Sequence, residues 1–294
     1  MKKALLGLMS VLVCGSAYAL KIDGNKIIDN RGNKIENKVY NKIVILDPSV
    51  VEGFYMIGGE GKIVAIADTA RSPIWPVEKT KDIPKAGTIN KPSIEQVLSY
   101  EPELVILNPM SEGFADSLKA RGLKYIVNEG KTFDEILNNL EIYGEISGAH
   151  EKATIISKEY KEKLASIKEE ISKKPLNIKG AFVFSTSPMM AFTEKSLPGE
   201  IFTTLGIENI ASGLPGGRPI LSPEYLISKN PDLLVGSMSI KNKNDIINSN
   251  PFVKQTKAGQ NGNVLVVDSS KILRPTPRII DALDELYEEL ANAK

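Results

Sequence analysis

Three arginines stand in segments otherwise made of small or apolar residues: Arg71 in DTARSPIWP, Arg218 in SGLPGGRP and Arg274 in SSKILRPTPR. A guanidinium presents a rigid planar fork of donors that matches the paired oxygens of a carboxylate, a catecholate or a hydroxamate. Arg218 is constrained by Gly216-Gly217 before it and Pro219 after it, and Arg274 precedes Pro275, whereas Arg71 can equally be a solvated loop charge. Trp75 and Tyr55 fall near these segments and can supply flat apolar walls, although Trp75, between Ile74 and Pro76, can also pack a lobe boundary. Met110, Met189, Met190 and Met238 lie in similar segments, where a thioether fills an irregular apolar gap or, less commonly, meets a soft metal.

Two acids carry a second signal. PSIEQVLSYEPELVIL, from Pro92, and LSPEYLISKNPDLLVG, from Leu221, repeat one order: Ser93 answers to Ser222, Glu95 to Glu224, Pro102 to Pro231 and Leu104 to Leu233. Each reads as a short helix, a proline and a buried strand. An acid near a helix start is favourable by itself. That preference does not explain why the two units match, so Glu95 and Glu224 are expected to be docking points for a partner with matching two-fold pseudo-symmetry.

The elements that hold these residues follow from periodicity. KIVIL (42–46), KIVAIA (62–67), ELVIL (103–107) and KYIVN (124–128) are short apolar runs separated by segments of helical spacing, and the pattern restarts with GAFVFS (180–185), DLLVG (232–236) and VLVVD (264–268). Strands alternating with helices predict parallel α/β sheets in two lobes, with ligand-bearing loops after the carboxyl ends of the strands. The segment KIDGNKIIDNRGNKIEN before them reads as a small hairpin decorating an edge. Between the lobes, Ile156, Tyr160, Leu164, Ile167 and Ile171 form one apolar stripe, predicting a rigid helix over Glu151–Lys173 that limits relative lobe motion. The expected organisation is an export signal at 1–19, an N-terminal α/β lobe at 20–148, the backbone helix at 149–174 and a C-terminal α/β lobe at 175–294.

The start of the chain combines Lys2 and Lys3, an apolar run from Ala4 to Val13 and the small-x-small end Ala17-Tyr18-Ala19, which reads as a signal for export to the periplasm, cleaved before Leu20. Cys14 offers lipid attachment as an alternative, but Val13 stands where a lipobox has a small residue. Cleavage after Ala19 leaves no cysteine, and so no disulfide, thiolate metal site or thiol nucleophile. It also takes the formal charge from +1 to about −1, which gives no footprint for nucleic acid. The 42% hydrophobic and 25% charged fractions argue against disorder and against a multi-spanning membrane protein. His150 is the only histidine and sits at a helix start, which disfavours a bare zinc or manganese site and a Ser-His-Asp hydrolase. GGEGKI (58–63) lacks the spacing of a phosphate loop and runs into a strand.

Taken together, IEQVLSYEPELVIL, EIYGEISGAHEKATIISKEYKEKL, PEYLISKNPDLLV and VVDSSKILRPTPRIIDALDEL resemble the helical-backbone solute-binding proteins of ABC importers, the receptors for ferric siderophores, haem and cobalamin. The resemblance spans nearly the whole mature chain. It implies two Rossmann-like lobes around a ligand cleft, a monomer that is not an enzyme and carries no cofactor, and an ABC permease dimer with its ATPase as partner. It also implies that Glu95 and Glu224 pair with permease arginines, and that Arg274 stands where the family often has a ligand-contacting arginine. With Arg71, Arg218, Trp75 and Tyr55 added to the ligand set, the expected cargo is a chelated metal, foremost a ferric siderophore, with haem, a corrinoid or a nickel chelate as alternatives. A secreted enzyme or adhesion module on the same scaffold is the reading from a different class.

Overall fold

The computed structural model describes residues 19–69 and 72–292. The expected export signal except Ala19, Cys14 within it, and Arg71 therefore lie outside the described residues. Fourteen strands are present among the described residues: β1 (Leu20–Asp23), β2 (Lys26–Asp29), β3 (Lys34–Glu36), β4 (Ile43–Ile45), β5 (Ile63–Asp68), β6 (Lys85–Thr88), β7 (Lys91–Pro92), β8 (Leu104–Leu107), β9 (Tyr125–Val127), β10 (Ile178–Thr186), β11 (Met189–Ala191), β12 (Ile207–Asn209), β13 (Leu233–Gly236) and β14 (Val264–Val266). All seven apolar runs read from the sequence contain strands.

The N-terminal lobe is built on a six-stranded sheet in the order β7-β6-β5-β4-β8-β9. Five of these strands run parallel, and only β7 is antiparallel to its neighbour. This is the doubly wound order, in which the winding of successive strands across the sheet reverses between β4 and β8 and opens a crevice at their carboxyl ends. The C-terminal lobe places β10 between β11 and β13, with β14 beyond; β12 pairs in parallel with the start of β10. Apolar clusters cover both faces of both sheets, as parallel strands require.

The N-terminal segment is more than a decoration. It forms a three-stranded antiparallel sheet, β1-β2-β3, and Leu20, Ile27 and Ile35 are buried in the same core as Ile43 and Phe54. Short strands with one apolar face cannot stand alone in water, so they complete the lobe instead.

Two helices, not one, carry the lobe junction. His150–Lys173 runs about 36 Å at 1.5 Å per residue. Ala153 and Ile156 pack into the N-terminal core, whereas Tyr160, Leu164, Ile167 and Ile171 pack into the C-terminal one. The expected stripe is kept in its second half, while the buried side of the first half is Ala153 and Ser157. Antiparallel beside it, Phe133–Ser147 does the same in reverse: Phe133, Ile136 and Leu137 join the C-terminal core, and Leu140, Tyr143 and Ile146 the N-terminal one. The approach is close because Gly144 leaves room that a Cβ would take only 2.5 Å from Ala153.

Leu164 is 4% exposed and Ile155, on the same helix, 57%. Leu164→Ala should therefore cost about 2–5 kcal/mol of stability, while Ile155→Ala should stay within about 0.5 kcal/mol, as read from urea unfolding midpoints.

Candidate functional site

A cleft of about 850 Å³ opens between the lobes. Its N-terminal wall is Asp47-Pro48-Ser49 after β4, Asp68 and Thr69 at the end of β5, Ser72, the β6–β7 turn Thr88-Ile89-Asn90, and Asn108 after β8. Its C-terminal wall is Met238, Ser239 and Lys241 after β13, and Ser269, Leu273, Arg274 and Pro275 after β14. Strand carboxyl ends thus supply almost all of it. The β6–β7 turn was not anticipated, because its cleft-lining residues Thr88, Ile89 and Asn90 carry no charge or aromatic ring to mark them.

The STSPMM segment does not form a rim loop. It turns β10 back into β11, so Met189 is buried in a core and Met190 is half-buried beside another. Met110 is exposed outside the cleft wall, and of the four methionines only Met238 lines it.

Arg274 lies in the cleft wall, but its fork is turned onto the other lobe. Nη1 donates to Glu52 Oε1 at 2.5 Å and to the Pro73 carbonyl at 2.7 Å; Nη2 donates to the Ser72 carbonyl at 2.6 Å and to Ser72 Oγ at 2.8 Å. Glu52 is fully buried on the helix Pro48–Ile57. Its second oxygen accepts from Arg278 Nη1 at 2.8 Å, and Oε1 also accepts the Trp75 backbone N–H at 3.2 Å. The Arg278 guanidinium stands 4.9 Å from the Trp75 ring centroid. Trp75 therefore faces the lobe junction rather than the cleft. Glu52 and Arg278 were both missed by sequence reasoning. The available signal was an acid on the apolar face of PSVVEGFY, since a buried carboxylate needs cations nearby.

Arg218 is exposed and lies outside the cleft wall, its guanidinium over Phe184 and Phe192 at 5.5 and 6.0 Å from the ring centroids. No carboxylate pairs with it among the described residues. The Phe184 carbonyl accepts from Ser239 Oγ, so Arg218 is one layer back from the C-terminal wall. Tyr55 donates to the Lys79 carbonyl at 3.2 Å and does not reach the cleft. His150 is exposed against Glu145.

The repeated unit is real in three dimensions. Ser93 and Ser222 cap the helices Ile94–Ser99 and Pro223–Lys229, accepting from the Gln96 and Tyr225 N–H groups, and Glu95 and Glu224 both occupy the second helical position. Both carboxylates are exposed, and neither has an ion-pair partner among the described residues. Each is held below the ordinary carboxylate value, first by its own backbone N–H and then by the capping serine hydroxyl. Ser93 N–H donates to the Ala86 carbonyl in β6 and Leu221 N–H to the Met189 carbonyl in β11, which ties each helix start to the sheet of its own lobe.

In the N-terminal wall, Asp47 is buried, and no cation pairs with it among the described residues. It accepts from Ser49 N–H at 2.9 Å, Ser49 Oγ at 2.6 Å and Asn128 Nδ2 at 3.0 Å, while Tyr143 donates to Asn128 Oδ1 at 2.6 Å. Burial raises the Asp47 carboxyl above its ordinary 3.8, against the pull of these donors. A raised value in the folded state means that the native chain holds the proton longer, so stability is lost as pH rises through that value. Asp47→Asn cannot titrate; its stability relative to the parent should rise as pH increases above the ordinary 3.8, as urea midpoints at each pH will read.

Residues 43–270 match the family model described as periplasmic binding protein. A vitamin B12-binding protein of Vibrio parahaemolyticus is 23% identical over 262 residues, covering 88% of this chain and 92% of its own. An uncharacterized ABC transporter substrate-binding lipoprotein of Bacillus subtilis is 29% identical over 259 residues, 85% of this chain and 79% of its own. A solved periplasmic heme-binding protein from Roseiflexus sp. RS-1 superposes with a TM-score of 0.75 at 20% identity, over 86% of this chain and 98% of that one; at such identity the likeness is one of fold. Among the described residues no helix is long and apolar enough to cross a membrane.

Proposed function

This chain belongs to the periplasmic binding protein family, the substrate-binding components of ABC importers, and we propose that it captures a corrinoid in the interlobe cleft and delivers it to a permease. The cleft wall carries this reading. It offers serine and threonine hydroxyls and the side-chain amides of Asn90 and Asn108, with Asp68 and Lys241 as opposed charges, while the Arg274 fork is spent within the protein. A corrin ring rimmed with neutral amide side chains matches such a wall better than a polyanionic chelate does. No histidine or tyrosine lines the cleft among the described residues, which leaves Met238 as its only soft donor toward a haem iron.

A ferric siderophore is the second reading, and Arg218 favours it: an exposed cation behind the C-terminal wall, without a carboxylate partner among the described residues, is open to catecholate or hydroxamate oxygens. Trp75, the only tryptophan and half-exposed at the lobe junction, is a built-in reporter for deciding between the two. Titration with cyanocobalamin should change its fluorescence saturably, and Arg218→Ala should leave that affinity within about twofold. Saturable binding of a ferric catecholate, weakened by about 1.5–3 kcal/mol in Arg218→Ala, would instead select the siderophore.

Glu95 and Glu224 are assigned to the permease. Two unpaired carboxylates at equivalent positions flanking one cleft suit arginines on a two-fold partner, with a long-range attraction that salt weakens. Glu95→Ala/Glu224→Ala should bind ligand like the parent and fail to stimulate transporter ATPase, while either single variant should retain part of the stimulation. Full stimulation by the double variant would refute the assignment. Residues 1–19 are proposed to be the export signal.

A further inference from the structure

The crossing helices join the lobes by burying side chains in both hydrophobic cores, yet the chain also places a charge cluster between the lobes at another point. Glu52 is fully buried, and three donors converge on its carboxylate: Arg274 and Arg278 from the C-terminal lobe and the Trp75 backbone N–H from its own. Arg274 then uses its three remaining terminal N–H contacts on Ser72 and Pro73. Every acceptor of Arg274 is thus in the N-terminal lobe, and its neighbour Leu273 faces the ligand space. Arg278 holds the same segment from outside, over the Trp75 ring.

Adhesion alone does not call for this arrangement. Well-packed apolar residues serve stability as well as a buried ion cluster or better, because ions must be stripped of water first. What the cluster adds is direction: a carboxylate, two planar forks and two backbone carbonyls are satisfied together only at one setting of the two walls. Ser72 and Arg274 are both cleft-lining residues, so the setting fixed by the cluster is the width of the cleft floor.

We propose that Glu52, Arg274 and Arg278 form an interlobe staple that positions the 72–76 segment as part of the ligand wall and sets how long a captured ligand stays. Glu52 is a positioning residue, acting through Arg274 rather than on the ligand. The kinetic half of the proposal rests on the ligand-capture reading; the geometric half does not.

The test uses the full chain with Cys14→Ser and nitroxide labels at Lys91→Cys and Lys243→Cys, exposed residues beside the cleft-lining Asn90 and near Lys241 on opposite lobes. Glu52→Gln keeps the shape and removes the charge. It should lengthen and broaden the label-to-label distance measured by pulsed electron resonance, and speed cyanocobalamin release by about tenfold, since changes of this kind fall mainly on dissociation. Arg278→Gln, which leaves the Glu52–Arg274 pair in place, should shift both readings in the same direction by less, and it decides the matter if Glu52→Gln does not fold. A lower melting temperature with unchanged distance and release rate would overturn the staple and leave a merely structural ion cluster. If the parent binds no cyanocobalamin, the corrinoid reading fails by itself, and the distance alone then supports the staple by lengthening or overturns it by staying fixed.

Discussion

Two lobes can share one ligand only if the gap between them is held, and here that constraint is met by the antiparallel pair Phe133–Ser147 and His150–Lys173. Each helix leaves one hydrophobic core and enters the other, so neither lobe can move without dragging buried side chains of both. Interiors packed at this density do not deform smoothly. Wide clamshell opening would have to expose Leu164, Ile167 and Phe133 to water, whereas small rotations would not. The fold is therefore suited to a cleft whose two walls keep nearly one setting.

On that frame, strand order decides where chemistry can occur. The winding of successive strands reverses between β4 and β8, and between β10 and β13, and the segments after β4, β8 and β13 meet in the cleft. The repeated helix starts stand apart from it: Glu95 and Glu224 are exposed and neither lines the cleft.

Charge is divided between two uses. A buried arginine is satisfied only by acceptors, and Arg274 finds them in Glu52, Ser72 and Pro73 across the lobe boundary. Arg218 is exposed and has no carboxylate partner among the described residues, while its flat face rests on Phe184 and Phe192. Both have the sequence setting of a constrained loop cation, but only one is free to recognise an anion.

The α/β alternation, the two lobes, the long helix and the paired glutamates were legible in the sequence because each is written in local periodicity: runs of branched apolar residues, a 3.6-residue stripe, a serine two positions before an acid. The roles of the arginines were not legible, because whether Arg274 meets a ligand or Glu52 depends on a residue 222 positions away brought beside it by folding. The same reason hid the second crossing helix, whose apolar residues look alike whichever core receives them. It also hid the β6–β7 turn, whose neutral residues acquire a role only by their place on the cleft wall. Local sequence determined which elements form and which faces they bury; the tertiary structure decided what their loops meet, because hydrogen-bond and charge partners are chosen by distance in space and not along the chain.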